Sequence, residues 1–239
     1  PPPGFFFHQQ PATPDPLWSR GLGDVYKRQT RDFAQKELQP QILEANRNEV
    51  YDSNLFKKLG RLGLLGAQIP GYGCSGVSTI AYGLIAKEIE RVDSSYRSAF
   101  SVQTSLAMHA INKFGSEEQK EFYLPQMAKG ELIGCFGLTE PDAGSDMAAL
   151  RTKAEQDEDG NWFVTGEKTF ITSGDGKYHF VIARSEETKV PDDPFAGLAG
   201  LSFFLVPLWE DTPEGRKHYG RVDRLEDKIG HKNSATCAV

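Results

Sequence analysis

Apolar residues recur at helix-like spacing through the first half of the chain and give way to strand-like runs in the second. Phe33, Leu38 and Ile42, then Leu55, Leu59 and Leu62, then Leu84, Ile85 and Ile89 each mark one face of a helix turned to a core. Pro40 should end or kink the first of these helices, since its ring removes an N–H and crowds the preceding turn. Ile69-Pro70-Gly71-Tyr72-Gly73 is too rich in Pro and Gly to sustain a helix and reads as a loop. Ser116 followed three residues later by Gln119 is a capping box opening another helix. These signals predict an all-helical domain over residues 30–133.

After Gly134 the period changes. Strand-like runs lie at Trp162–Thr165, Lys168–Thr172, Tyr178–Arg184 and Leu201–Val206, and Asp159-Gly160-Asn161 is a hairpin signal for the first pair. Helices followed by a block of strands predict an α+β fold with segregated domains, the second being a mostly antiparallel β-domain over 134–239. The charged, Pro- or Gly-containing segments Glu186–Pro194 and Glu210–Gly220 read as surface loops. Pro1–Gln29 shows neither helical nor strand periodicity and lacks the basic start and apolar core of a signal peptide. Its end, Asp24-Val25-Tyr26-Lys27-Arg28-Gln29, resembles the translation of a transposon-end adaptor, so residues 1–29 are expected to be a non-native or disordered leader.

The 239 residues suffice for a sizeable core in one large or two small domains. A charged fraction of 25% and a mean hydropathy of −0.47, with no apolar run approaching the ~20 residues of a spanning helix, argue against membrane insertion. A net charge of −6 without a basic stripe argues against a nucleic-acid surface. Cys74, Cys135 and Cys237 are odd in number and show no metal-ligand spacing, so they read as reduced thiols, and no metal site is expected. The five histidines, His8, His109, His179, His218 and His231, are scattered and read as satisfied or solvated.

Chemistry concentrates in Gly134-Cys135-Phe136-Gly137-Leu138-Thr139-Glu140-Pro141-Asp142-Ala143-Gly144-Ser145-Asp146. Gly144 permits close backbone approach to a ligand, Pro141 fixes the chain direction, and Thr139 and Ser145 offer hydroxyls. By residue type these are the parts of a flavin or phosphate cradle, or of a plain Pro-Gly turn between a helix and a strand.

The run resembles the flavin-binding signature of the acyl-CoA dehydrogenases. Likeness extends to Gly71-Tyr72-Gly73-Cys74-Ser75-Gly76-Val77-Ser78, to Glu90-Arg91-Val92-Asp93-Ser94-Ser95-Tyr96-Arg97-Ser98-Ala99, to Gly115-Ser116-Glu117-Glu118-Gln119-Lys120 with Tyr123-Leu124-Pro125, and to Gly166-Glu167-Lys168-Thr169-Phe170-Ile171-Thr172. Over residues 31–147 it is most similar to the glutaryl-CoA dehydrogenases. The resemblance implies FAD held by Phe136, Leu138, Thr139, Gly144 and Ser145 on one side and by Phe170, Ile171 and Thr172 on the other. Phe170 stands where many relatives carry Trp; without the motif it would read as a core aromatic in a strand. Arg97, with Ser98 and Ser145, is implied to meet the acyl-CoA substrate, the guanidinium taking a distal carboxylate through a bidentate contact. Outside that context Arg97 would be read as a salt bridge, for instance with Asp93 four residues earlier.

The implied reaction is α,β-dehydrogenation of an acyl-CoA thioester, with glutaryl-CoA and its decarboxylation to crotonyl-CoA favoured. An electron-transfer flavoprotein is the implied acceptor, a homotetramer the implied assembly of the full-length parent, and the bacterial cytoplasm or mitochondrial matrix the implied compartment. An acyl-CoA oxidase of the same fold, or a non-catalytic flavin- and acyl-CoA-binding fragment, are the alternatives. Two departures from the family stand out. The chain stops at Cys237-Ala238-Val239 without the family's C-terminal helical domain and its glutamate base, so it is expected to be a fragment inactive by itself, and no catalytic residue is assigned. The glutaryl-CoA dehydrogenase likeness is strong to about Met147 and weaker beyond Arg151, and Gly197–Val239, with Lys228-Ile229-Gly230-His231, resembles longer acyl-CoA dehydrogenases better, which a mixed-feature subfamily or a chimera would produce.

Overall fold

The computed structural model describes residues 17–50, 52, 54–186 and 196–239. Helix α1, Leu17–Phe33, runs on into a π-helical turn, Ala34–Leu38, a 3-10 turn, Gln39–Gln41, and α2, Ile42–Asn48. Pro40 therefore changes the helical pitch and does not end the helical path, and Phe33, Leu38 and Ile42 are all buried as their spacing requires. Helix α3, Leu55–Arg61, follows, then a tight hairpin of β1, Pro70–Gly71, and β2, Cys74–Ser75. The expected loop at 69–73 is thus the turn of that hairpin, with Tyr72 and Gly73 both in the left-handed region (φ 52° and 77°).

Helix α4, Thr79–Glu90, is capped by Ser78, whose hydroxyl accepts from the Ala81 amide. Helix α5, Ser94–Ser101, is capped by Asp93 and continues through a π-helical turn, Val102–Met108, into α6, His109–Phe114. Helix α7, Glu117–Ala128, opens with the expected capping box of Ser116 and Gln119. The reading of residues 1–29 as aperiodic is corrected for 17–29, which form most of α1. Small residues supply the contact that an apolar stripe would otherwise make: Gly23 is buried, and a Cβ there would lie 3.7 Å from the Ala81 Cβ of α4. Residues 1–16 lie outside the described residues.

Strand β3, Gly134–Gly137, leaves the helices and pairs in parallel with β7, Tyr178–Arg184, which pairs along its other edge with antiparallel β8, Leu201–Pro207. Strand β4, Lys153–Gln156, meets β7 at Arg184 and forms a hairpin with β5, Trp162–Thr165. Asp159-Gly160-Asn161 turns that hairpin, so the turn joins β4 to β5 and not, as expected, the runs 162–165 and 168–172; β4 was not among the expected runs because only Ala154 of its four residues is buried. Strand β6 is shorter than expected, only Ile171–Thr172, because Phe170 takes a left-handed φ of 57° and breaks the run. Glu210–Gly220 is corrected from a surface loop to a hairpin of β9, Trp209–Thr212, and β10, Gly215–His218. Of the expected loop 186–194, residues 187–194 lie outside the described residues. A short helix, α8, Ala196–Ala199, precedes β8. Strands β11, Arg224–Leu225, and β12, Thr236–Ala238, complete a second sheet in the order β11-β12-β6.

The core joins the two halves. Leu59, Leu64, Ile85, Ile89, Tyr96, Phe100 and Leu124 are fully or almost fully buried among the helices, and Phe180 of β7 belongs to the same cluster. At the junction the buried Gln103 amide donates to the Met127 and Leu132 carbonyls and its oxygen accepts from the Gly134 amide. A side chain at Gly134 would crowd the Ala107 Cβ at 2.9 Å, so this glycine lets β3 lie against the π-helical turn.

Candidate functional site

The 134–146 run is a strand followed by a clasped turn. Phe136 in β3 lies against Phe203 of β8 with ring centres 5.4 Å apart and planes tilted by 45°, and Phe136 packs on the core. Beyond the strand, Glu140 and Ala143 exchange both backbone hydrogen bonds around Pro141-Asp142, which makes a four-residue turn. The turn presents Gly144 and Ser145 to solvent, with Gly144 beside Thr139: a Cβ there would be 3.7 Å from the Thr139 methyl. Among the described residues the hydroxyls of Thr139, Ser145 and Thr172 make no hydrogen bond, so all three are available to a ligand.

Glu140 holds the turn in place from inside. Its carboxylate, 6% exposed, accepts from the Arg151 amide at 2.7 Å, the Thr152 amide at 3.0 Å and Lys168 Nζ at 2.8 Å. Burial raises its pKa, but the bonds from Lys168, Thr152 and Arg151 outweigh burial and hold the carboxyl at about 2. Lys168 also donates to the Leu138 and Ile182 carbonyls, so one ammonium ties the run to β7. Neither Glu140 nor Lys168 was predicted as a site residue. A buried Lys in Gly166-Glu167-Lys168 and a Glu in the turn carried no signal beyond opposite charge.

The second predicted segment meets the first directly. The Thr169 amide donates to the Thr139 carbonyl at 2.8 Å, and the next residue, Phe170, stands 64% exposed with its backbone left-handed. A bulky residue in that region is a rare conformer that costs of order 1–3 kcal/mol and clusters at ligand sites. Phe170 is therefore no core aromatic. Ile171 is buried and Thr172 half-buried, both fixed by pairing with Cys237 and Thr236 of β12. Phe136, Leu138, Thr139, Gly144, Ser145, Phe170, Ile171 and Thr172 are thus held on one continuous framework.

Arg97 and Ser98 lie on α5, and among the described residues no hydrogen bond or ion pair joins them to the 134–146 run. Arg97 donates through Nε to Glu90 at 3.0 Å and through a terminal nitrogen to the Ser101 hydroxyl at 3.2 Å, and Asp93, its conceivable partner in sequence, is used instead as the helix cap. Ser94 and then Arg97 hold the Glu90 carboxyl below the usual carboxylate range against the effect of burial. The link between α5 and the β-domain runs through residues 231–235: the Asn233 amide donates to the Ser95 hydroxyl at 3.3 Å, and the Ser173 amide to the Ala235 carbonyl at 2.7 Å. A cavity of about 310 Å³ near Lys168, His179, Tyr219 and Arg221 contains none of the predicted contact residues. Burial pushes the Cys237 thiol up to about 11 and that of Cys135 higher, which suits neither to nucleophilic work.

Two domain models of one family match in tandem: the acyl-CoA dehydrogenase N-terminal domain over residues 24–131 and the middle domain over residues 135–239. The chain belongs to the acyl-CoA dehydrogenase family. An acyl-CoA dehydrogenase of Bacillus subtilis (strain 168) is 36% identical over 213 residues, covering 89% of this chain and 52% of that protein. A glutaryl-CoA dehydrogenase from Mycobacterium smegmatis, solved in complex with FADH2, superposes with a TM-score of 0.78 at 36% identity, covering 90% of this chain and 51% of that one. Butyryl-CoA dehydrogenase from Megasphaera elsdenii superposes with a TM-score of 0.79 at 29% identity, covering 90% and 54%. The chain spans about half the length of the curated relatives it matches.

Proposed function

We propose that this acyl-CoA dehydrogenase-family chain holds FAD between the Thr139–Ser145 turn and the Phe170–Thr172 segment, for α,β-dehydrogenation of an acyl-CoA thioester. The observation that carries this reading is the Thr169-to-Thr139 hydrogen bond, which sets an exposed, left-handed Phe170 beside a turn with unused hydroxyls. Those residues suit a flat, polar-edged ring system: an aromatic face from Phe170, hydroxyls from Thr139, Ser145 and Thr172, and close approach at Gly144. Bound FAD supplies the hydride acceptor. The chain's own part is to fix the ring and hold the thioester alongside it.

Glutaryl-CoA is the favoured substrate. Arg97 supports this reading, because a guanidinium on a helix that connects to the flavin strand through residues 231–235 suits a distal carboxylate. Crotonyl-CoA after decarboxylation is then the product, and an electron-transfer flavoprotein the acceptor. Glu140 is not offered as a base, since its carboxylate is already taken by two amides and an ammonium. Without a base assigned, a flavin- and acyl-CoA-binding role for residues 17–239 is the second reading.

Titrating the chain with FAD and following flavin fluorescence tests the proposal. Saturable quenching that weakens in a Gly144→Val variant, whose branched side chain would intrude where the backbone meets the ring, is the expected result; identical curves for both proteins would count against it. Binding of glutaryl-CoA at least tenfold tighter than butyryl-CoA to the flavin-loaded chain separates the substrate reading from the cofactor reading.

A further inference from the structure

Gln103 is 0% exposed, and its side-chain amide holds three main-chain groups at once. Nε2 donates to the Leu132 carbonyl at 2.8 Å and to the Met127 carbonyl at 3.3 Å, and Oε1 accepts from the Gly134 amide at 2.9 Å. Only one orientation of the amide satisfies this set, because the reverse would put oxygen against two carbonyls and an NH2 group against an N–H. The partners lie 24, 29 and 31 residues along the chain. An apolar side chain would fill the same space without having to be aimed, so the three bonds are a feature to explain.

Its position supplies the explanation. Gln103 belongs to the π-helical turn Val102–Met108, which continues α5, and single π turns within helices are uncommon and frequent at functional sites. The neighbouring Thr104, also buried, accepts from the Gly66 amide at 3.3 Å, so both buried polar residues of the turn grip main chain elsewhere. Arg97 is tied to the same segment from the other side: it donates to the hydroxyl of Ser101, the residue that precedes the π turn, and that hydroxyl donates to the Ser98 carbonyl at 3.1 Å. Gly134, the partner of Oε1, opens β3, and β3 leads directly to Thr139 and its turn. A Cβ at Gly134 would stand 2.9 Å from the Ala107 Cβ and 3.0 Å from Met127 Cε, so strand and π turn meet with no side chain between them. Gln103 thus joins the helical segment that carries Arg97 to the strand that carries the Thr139–Ser145 turn.

We propose that Gln103 is a positioning residue for substrate length: it fixes β3 against the segment that carries Arg97, and so sets the dicarboxyl-CoA chain that fits between Arg97 and the flavin ring. This rests on the reading of Arg97 as the contact for a distal carboxylate and of the Thr139–Ser145 turn as part of the flavin cradle. A thioester held at the ring and a carboxylate held at Arg97 are separated by a set number of methylenes. A chain one carbon shorter or longer fits only if the two elements shift, and hydrogen bonds, with their requirements of length and direction, oppose a shift that apolar contact alone would permit. A neutral thioester such as butyryl-CoA has no distal charge to place and is indifferent to the spacing.

The test is binding of succinyl-, glutaryl-, adipoyl- and butyryl-CoA to the flavin-loaded 239-residue chain, wild type against Gln103→Met, which keeps length and burial but removes all three bonds. Wild type should bind glutaryl-CoA at least tenfold tighter than its shorter and longer homologues. In Gln103→Met that advantage should fall to about threefold or less, with butyryl-CoA affinity within twofold of wild type. Gln103→Glu, whose carboxyl still accepts from the Gly134 amide, should recover part of the advantage. An unchanged length preference in a folded Gln103→Met protein overturns the proposal. Uniform weakening of all four ligands overturns it too, since that is the mark of a residue that only holds the fold together. If Gln103→Met does not fold, Gln103→Asn, whose amide is one methylene too short to hold Leu132 and Gly134 together, decides by the same readout. A wild type that takes up FAD but shows no preference among the three dicarboxyl thioesters removes the substrate reading of Arg97, and one that takes up no FAD removes the cofactor reading; the role of Gln103 in substrate length falls with either.

Discussion

Lys168 Nζ lies 2.8 Å from Glu140 Oε1 with each side chain 6% exposed, and this buried pair fastens the Thr139–Ser145 turn to the sheet. Replacing a pair of this kind by matched apolar groups is often harmless, but removing one charge strands the other. Glu140→Gln keeps the shape and leaves an ammonium buried without its counter-ion. The expected loss is about 3–5 kcal/mol, read as a lower urea midpoint at pH 7 together with weakened FAD binding. A midpoint within error of wild type would show that the clasp contributes nothing.

The same pair predicts an acid dependence. The Glu140 carboxyl is held at about 2 in the fold against an ordinary value of 4.5, so its contribution is complete above pH 4.5 and disappears as pH falls toward 2. At 1.36 kcal/mol per pKa unit, that is about 3 kcal/mol. Urea unfolding at pH 7, 5 and 3.5 should show wild-type stability falling over the last interval. In Glu140→Gln this component should be missing; parallel losses in both proteins would assign the acid sensitivity elsewhere.

Much of this arrangement could be read along the chain, and the unread part has a common cause. Helix faces such as Ile85–Ile89 and caps such as Ser116 are local, so spacing and residue type suffice to place them. Glycines at 71, 73 and 144 likewise announce turns without help from distant residues. The Glu140–Lys168 pair spans 28 residues and the Ser95–Asn233 bond 138, and no local pattern encodes either. Helix α1 was missed over residues 17–29 because the small Gly23 and the polar, buried Thr30 interrupt the face that Tyr26 and Phe33 turn to the core. The β9–β10 hairpin was missed because all four residues of β10 face solvent and alternation had nothing to mark.

Phe170 offers a prediction in which stability and binding part company. Glycine takes a left-handed backbone without the strain that a bulky residue carries, and the lost ring is 64% exposed, so little burial is forfeited. Phe170→Gly should leave thermal stability of the flavin-free chain unchanged or raise it by up to about 1 kcal/mol. FAD affinity should fall at least tenfold. If affinity holds, the ring is not the flavin contact.

Arg97→Lys keeps the charge on α5 but loses the fork that spans Glu90 and Ser101. Preference for glutaryl-CoA over butyryl-CoA, measured as a ratio of dissociation constants on the flavin-loaded chain, should narrow while affinity for the neutral thioester stays within twofold. Equal binding of the two ligands by wild type would remove Arg97 from the substrate site altogether.

Two glycines within helices predict opposite outcomes. Gly60 in α3 faces the end of α7 so closely that a Cβ would stand 2.4 Å from the Lys129 carbonyl oxygen, and backbone on both sides leaves no flexible group to yield. Gly60→Ala should therefore force the helices apart and cost about 1–3 kcal/mol, seen as a lower melting temperature. Gly21 in α1 is exposed, and a Cβ there meets nothing within 4 Å. Gly21→Ala should stabilise by about 0.5–1 kcal/mol, because alanine loses less backbone entropy on entering a helix. Melting curves for the two variants run beside wild type separate the cases: a lowered transition for Gly60→Ala with a flat response for Gly21→Ala would confine the packed helix to residues after Gly23.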